Sequence, residues 1–325
     1  MRVRITQLDG TLPNIALMKL AHWHRIQGDT VMRGRTVQPQ PDESTYGIVY
    51  GSSIFKWSNT AIDQFKEYWP NGILGGTGSG NPSTVEHIIG GQYENYDYTD
   101  YPEFHESIGF TQRGCRLSCK FCVVPAKEGK PQSVNSIYDI WRGNPHPRKL
   151  HLLDNDFFGQ TEWRDRIREI REGNFRVCLS QGINIRMITE ESAAALASIE
   201  YRNTRFNERK LYTAWDNYGD IDRFFRGVGL LNAAGIPCKH IMAYMLVGFD
   251  PAETWAKIWN RFMLMEARGI EPYPMVYDKS RRDLVSFQRW ACRGLYRIVK
   301  WPDYVRQTKT QESVDGYYEA LAGVI

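Results

Sequence analysis

Three of the chain's six cysteines stand within eight residues, in the run GCRLSCKFC from Gly114 to Cys122. Three residues separate Cys115 from Cys119, and two separate Cys119 from Cys122. Thiolates are soft ligands, so such crowding points to a metal before anything else. Three readings compete. A structural zinc site wants four closed ligands, which would bring in a distant fourth such as His105 or His146. Three unrelated buried cysteines would have no shared purpose. A [4Fe–4S] cluster on three thiolates would leave one iron without a protein ligand, whereas such clusters are normally held by four. That iron would be open to a cofactor or substrate, and the tight spacing on a glycine-flanked loop argues for this third reading.

The rest of the sequence must position that loop. A chain of 325 residues suffices for one large domain or two modest ones. Hydrophobic residues make up 42% and charged residues 24%, which excludes the disordered and fibrous classes. No apolar run approaches the roughly 20 residues needed to span a bilayer. The start, MRVRITQLDG, lacks the apolar core of a secretion signal. A cytoplasmic location is therefore expected, where thiols stay reduced and serve metal or redox chemistry. A net charge of +4 permits an anionic partner without arguing for one.

Hydrophobic periodicity predicts a small α/β unit first, over residues 1–92. Its strands are expected at Val3–Leu8, Tyr46–Phe55 and Ile73–Leu74, and its helices at Asn14–Gln27 and Thr60–Tyr68. The Tyr- and Asp-rich stretch 93–106 reads as a linker, with packing of its tyrosines on a neighbour as the alternative. Strand–helix alternation then resumes over 107–280. Strands are expected at Ser107–Thr111, Lys149–Leu153, Arg176–Leu179, Lys210–Trp215, His240–Val247 and Tyr273–Tyr277. Helices fill the gaps at Ser136–Arg142, Trp163–Glu172, Glu190–Ser198, Ile221–Ala234 and Thr254–Arg268. The fold class is α/β: a partial (β/α)6 barrel of the TIM type or an open parallel sheet, behind a Rossmann-like unit. The aromatic, basic tail 281–325 is expected to form a helical cap.

The Cys-x3-Cys-x2-Cys spacing, with Phe121 before the last cysteine, on the loop after the first strand of a six-unit β/α domain, resembles the radical S-adenosylmethionine (SAM) superfamily. The string RGCRLSCKFCVVP is similar to the branch that carries a cobalamin-binding-type domain upstream, and to the methylthiotransferases. The resemblance covers about residues 107 to 280. It implies that Cys115, Cys119 and Cys122 hold the cluster and that its open iron binds the amino and carboxylate groups of SAM. An electron from a donor such as flavodoxin or ferredoxin would then split the sulfonium, and the 5′-deoxyadenosyl radical would take hydrogen from an unidentified substrate. The catalytic residues toward that substrate carry no sequence signature.

The resemblance also implies where SAM lies. Asp154, Asn155 and Asp156 end the second strand, where the cofactor's amino group is expected, although the superfamily's usual Gly-Gly-Glu string is missing. A helix cap is the alternative role for these residues. Ser180, Gln181, Asn184 and Arg186 follow the third strand, near the expected ribose and carboxylate. Asp216 and Asn217 end the fourth. Gly248 ends the fifth and would let adenine approach the backbone closely, and Glu253 is expected to cap the next helix. Tyr277, at the end of the sixth, either faces substrate or packs. Arg113, Arg116 and Lys120 flank the cysteines, either raising the cluster potential or standing in solvent.

Two further cofactor questions follow. Residues 1–114 contain no cysteine, so the second cluster of the methylthiotransferases is not expected, and the separations of Cys178, Cys238 and Cys292 match no ligand motif. The first unit resembles a cobalamin-binding-type domain in its order of elements, but the Asp-x-His-x-x-Gly string is replaced by LDGTLPN. No histidine is available there; Gly75-Gly76 would still admit a nucleotide tail. Cobalamin, as in a radical methyltransferase, and a cofactor-free scaffold are both open. The Trp-rich tail and the helix RDRIREIREGNFR leave nucleic acid as a candidate partner, either for base modification or, with zinc on the cysteines, as a binding module. A solvated basic face is the alternative.

Overall fold

Branched apolar runs alternate with helix-spaced apolar residues, and strand follows helix along most of the chain. The computed structural model describes every residue except positions 42, 44, 82, 306–310 and 325. The chain divides into two compact units, Met1–Ile108 and Gly109–Ile325.

In the first unit the elements are β1 (Arg2–Gln7), α1 (Ile15–Ile26), β2 (Thr30–Arg33), β3 (Ile48–Ser52), α2 (Asn59–Tyr68), β4 (Ile73–Gly75) and α3 (Val85–Ile89). The four strands form one parallel sheet in the order β2-β1-β3-β4. Val3, Ile5, Leu17, Leu20 and Tyr50 fill its core. Asn14 caps α1, its side chain accepting from the Leu17 N–H at 3.2 Å. β2 was not expected: it is four residues long and buries only Val31, too little for a period to register. The stretch 93–106 is not a free linker. Tyr101 is buried and its hydroxyl donates to Gln7 Oε1 at 3.0 Å, while Arg25 of α1 pairs with both Asp97 and Asp100. Its tyrosines and aspartates pack on the first unit, as the alternative reading had it.

The boundary between the units falls within β5 (Ser107–Gly109). There follow β6 (Gln112–Arg113), α4 (Val124–Glu128), β7 (Gln132–Ser133), α5 (Ile137–Ile140), β8 (Lys149–Leu152), α6 (Trp163–Glu172), β9 (Arg176–Cys178), α7 (Glu190–Ala197) and β10 (Glu200–Tyr201). The chain continues through β11 (Leu211–Ala214), α8 (Ile221–Ala233), β12 (Ile241–Val247), α9 (Trp255–Glu266), β13 (Glu271–Val276), α10 (Arg282–Cys292), α11 (Trp301–Tyr304) and α12 (Gln311–Val324). One sheet has the order β10-β9-β8-β5 and another the order β11-β12-β13. Their described pairings are parallel, and an isolated parallel bridge, Ile183 to Thr213, ties the loop after β9 to β11. The architecture is thus α/β with mostly parallel sheets. Each of the six expected strands is present; β10 had no signal, because two residues carry no period.

Along β12, Ile241, Ala243, Met245 and Val247 are buried while the residues between them are half-buried. The buried side joins the helix-covered core. The other side, with Met242 and Tyr244, packs with Cys178, Phe206 and Tyr212. The expected helical tail is present but its tryptophans point inward. Trp290 and Trp301 are buried against Trp259, with ring centroids 5.6 Å away in both cases. They are therefore not stacking platforms for an external base. Arg289, Arg293, Arg297 and Lys300 do remain exposed. The basic helix α6 is paired, Arg164 with Glu191, Arg166 with Glu169 and Arg168 with Asp165. No helix among the described residues is long and apolar enough to cross a membrane.

Trp259 is fully buried at the centre of this aromatic cluster. Trp259→Ala is expected to cost about 3–5 kcal/mol of unfolding free energy, the usual loss for truncating a core aromatic. Urea denaturation followed by circular dichroism measures it; a loss under about 1 kcal/mol would mean that the cluster does not anchor the unit.

Candidate metal centre

The loop 114–131 leaves and re-enters a short antiparallel pair, β6 with β7, in which Gln112 faces Ser133 and Arg113 faces Gln132. Its two arms run close together. Gly114 has φ +79°, and a Cβ there would sit 2.2 Å from the Lys130 carbonyl oxygen, so no other residue fits. Cys115 N–H donates to the Gly129 carbonyl at 3.2 Å, and Cys122 N–H to the Cys119 carbonyl at 3.0 Å. Immediately afterwards α4 starts, with Pro125 in its first turn.

Each sulfur receives one N–H donor. Leu117 N–H reaches Cys115 Sγ at 3.4 Å and Val124 N–H reaches Cys122 Sγ at 3.5 Å. Arg186 Nη2 reaches Cys119 Sγ at 3.6 Å. Donors aimed at sulfur stabilise the thiolate form that a metal requires. Without a metal, burial pushes the Cys115 and Cys122 thiols up, and the neighbouring cysteines add to the shift. Metal binding would therefore displace protons.

The string LLDNDFF ties this loop to the end of β8. Asp154 is buried and accepts from Thr111 N–H at 2.7 Å, Thr111 Oγ1 at 2.5 Å and Gln112 N–H at 3.1 Å. Asn155 donates to Glu128 at 2.7 Å. Glu128 also accepts two bonds from Arg113, both at 2.9 Å, and one from Gly114 N–H at 3.1 Å. Burial alone would raise the Glu128 carboxyl, but these partners hold it below its usual range. Asp156, fully buried, takes a bidentate pair from Arg116 at 2.7 and 2.8 Å. The three residues expected at the SAM amino group are thus already engaged in fastening the cysteine loop. The helix-cap alternative does not hold for α6 either, because Glu162 precedes it and makes no side-chain cap. Arg113 and Arg116, read as flanking cations, are spent on carboxylates; Lys120 is exposed.

Residues from the other strand ends meet the same loop. Arg186, after β9, spans from Cys119 to Asp220 Oδ2 at 2.9 Å. Phe121 lies edge-on to Phe249, ring centroids 5.5 Å apart, and Phe249 lies edge-on to Tyr277 at 5.0 Å. Tyr277 is 51% exposed. Gly248, with φ +78°, turns the chain after β12, and a Cβ there would meet Leu284 at 2.6 Å. Asp216 accepts from Leu246 N–H at 3.1 Å, and burial raises its carboxyl. Ser180 is half-buried, and its carbonyl accepts from Tyr244 Oη at 2.7 Å. Gln181 is exposed. Asn184 Nδ2 is buried with no hydrogen-bond partner, which leaves a donor unspent beside Arg186.

Arg261 was missed. It lies on the apolar face of α9 and is fully buried, donating to the carbonyls of Trp215 at 2.7 Å, Asp216 at 3.1 Å and Leu246 at 2.9 Å, and pairing with Glu253. It fastens the ends of β11 and β12 to each other. The signal was a lone arginine at an apolar-spaced position of KIWNRFML, which demands buried partners. Glu253 was expected to cap α9; Thr254 does that, accepting from Lys257 N–H at 3.3 Å.

Cys115, Cys119 and Cys122 are free thiols, and an iron–sulfur cluster would ask each thiolate for its own iron. Among the described residues no group of three or more His, Cys, Asp and Glu side chains converges on a single ion. His146, a candidate fourth zinc ligand, precedes β8, whereas Asp154 meets the start of the cysteine loop beyond its other end. Cys178 is fully buried, and burial pushes its thiol up to about 12, as it does for Cys292.

In the first unit the residues around the crevice where cobalamin would be expected bond to one another. In its order of strands the crevice would open after β1 and β3. There Asp9 accepts from Ser53 Oγ, Ser58 Oγ and Ile54 N–H, each at 2.7 Å, and from Phe55 N–H at 3.0 Å. His24 is held by Asp29 at 2.6 Å and Tyr50 at 3.1 Å, and His22 by Tyr93 at 2.5 Å. Gly76 is required by packing: with φ +90°, a Cβ would lie 2.2 Å from the Ser53 carbonyl oxygen. Comparison of the chain with protein-family models and with curated proteins finds no match in either.

Burial outweighs the three donors to Asp154 and pushes its carboxyl from 3.8 up to about 6. A carboxyl that ionises later in the folded chain than in the unfolded one costs stability once the unfolded chain has lost its proton. Stability from this group is thus highest at low pH and falls from about pH 4 to about pH 6. Asp154→Asn keeps the acceptor for the two backbone N–H groups. Relative to wild type, this variant is expected to gain on the order of 3 kcal/mol over that interval. Paired urea titrations at closely spaced pH values read the difference, and a flat difference curve would contradict the buried, late-ionising carboxyl.

Proposed function

We propose that the chain is a radical SAM enzyme. Cys115, Cys119 and Cys122 hold a [4Fe–4S] cluster whose open iron takes SAM, at the mouth of a partial (β/α)6 barrel made by β5, β8, β9, β11, β12 and β13. One observation carries this reading. The three thiols lie on a loop fastened to the end of β8, met by Arg186 from the end of β9 and by Phe249 from the end of β12. Polar groups gathered at strand carboxyl ends are the usual site of such folds.

When bound, cluster and SAM would supply one-electron cleavage of the sulfonium and a 5′-deoxyadenosyl radical. The chain's own residues have simpler tasks. Leu117 and Val124 N–H groups and Arg186 stabilise the thiolates. Asn184 offers its unspent amide, with Ser180 and Gln181 on the same turn, to a carboxylate or ribose hydroxyl. Asp216 accepts from a backbone N–H through one oxygen and leaves the other for a hydroxyl or ammonium. Phe121, edge-on to Phe249, walls the cluster from water. Asp154, Asn155 and Asp156 act by positioning. A small one-electron carrier of the flavodoxin or ferredoxin kind is the implied partner.

Anaerobic reconstitution tests this. The wild type is expected to turn brown and hold about four irons and four sulfides per chain. With Cys115, Cys119 and Cys122 all changed to Ala, cluster and SAM cleavage are expected to vanish together. A colourless protein holding about one zinc would favour the binding module instead. Undiminished 5′-deoxyadenosine formation by the triple variant under dithionite would refute the assignment.

A further inference from the structure

Resting on the cluster reading, we infer that Arg186 sets the electron affinity of the cluster by donating to Cys119. The arginines beside the cysteines in sequence donate to carboxylates, and Arg186 is the arginine among the described residues whose donor reaches a cysteine sulfur. Arg113 is committed to Glu128 and Arg116 to Asp156, each through two bonds, and Lys120 is exposed. Arg186 arrives from a different strand end. Its Nη1 is fixed by Asp220 at 2.9 Å, its Nη2 lies 3.6 Å from Cys119 Sγ, and its side chain is 21% exposed. The planar guanidinium makes the two contacts interdependent: with one N–H anchored on Asp220, the other is aimed at sulfur. Arg226 donates to the Arg186 carbonyl at 2.8 Å and fixes the backbone as well.

The consequence is electrostatic. One-electron reduction adds negative charge to the cluster and its thiolates. A cationic donor on one thiolate therefore stabilises the reduced form more than the oxidised form, and the midpoint potential rises. A role confined to gripping the carboxylate of SAM would leave the midpoint of the SAM-free cluster unmoved. The two roles are thus separable without measuring turnover.

The test is an EPR-monitored redox titration of reconstituted, SAM-free protein as wild type, Arg186→Met and Arg186→Lys. At the wild-type midpoint, the reduced-to-oxidised ratio in Arg186→Met is expected to fall by up to roughly tenfold, the part of one charge-assisted hydrogen bond that differs between the two forms. Arg186→Lys keeps the charge but loses the fork, and is expected to fall between. Should Arg186→Met fail to hold iron, the comparison of Arg186→Lys with wild type stands alone. Equal ratios in the proteins that hold a cluster would overturn the inference, even if SAM affinity drops. Loss of the cluster from both variants would also overturn it, because Arg186 would then be an assembly residue. A wild type that takes up no iron and sulfide is read before any titration, and would remove the cluster reading itself.

Discussion

Two forked arginine–carboxylate pairs hold the cysteine loop, and the arrangement of the site depends on them. In the loop 114–131 Leu117, Phe121 and Val124 are only half-buried and Val123 is exposed, so hydrophobic packing alone does not fix its shape. Arg113 with Glu128 closes its base, and Arg116 with the fully buried Asp156 fastens its first arm to the end of β8. A fork specifies direction as well as distance, which a lone lysine would not. Partly buried pairs of this kind add little net stability when intact but are costly to break, so they select one conformation. The loop that carries the three cysteines is thereby tied at both of its arms.

The loop would have nothing firm to hold without the sheets beneath it. A cluster of tryptophans and phenylalanines under α9, α10 and α11 packs one face of β12 and β13, and Arg261 clamps the carboxyl ends of β11 and β12 from within that core. A buried arginine is expensive in apolar surroundings. Here its cost is offset by three carbonyls and Glu253, and the return is a fixed rim where Asp216 and Gly248 stand.

The first unit follows a similar rule with a different outcome. Its strand order creates a crevice after β1 and β3, yet Asp9 gathers four donors from the loop after β3. The carboxylate serves the loop's own hydrogen bonds. The order of elements in this unit therefore does not by itself assign a ligand to the crevice, in keeping with the separation of fold from function.

Periodicity made the main strands and helices legible, because the buried face of each repeats every two or 3.6 residues. The cysteine spacing was equally plain, since a ligand loop is local in sequence. What lay beyond reach was which charge meets which. Arg113, Arg116 and Arg186 are alike as letters, and so are Asp154, Asp156 and Asp216. Only folding assigned Arg186 to a sulfur 67 positions away, Arg116 to a carboxylate 40 positions away, and the tail's tryptophans to the interior. The reason is physical: apolar burial is read from one segment at a time, but a hydrogen bond between distant side chains exists only once the backbone has brought both ends together.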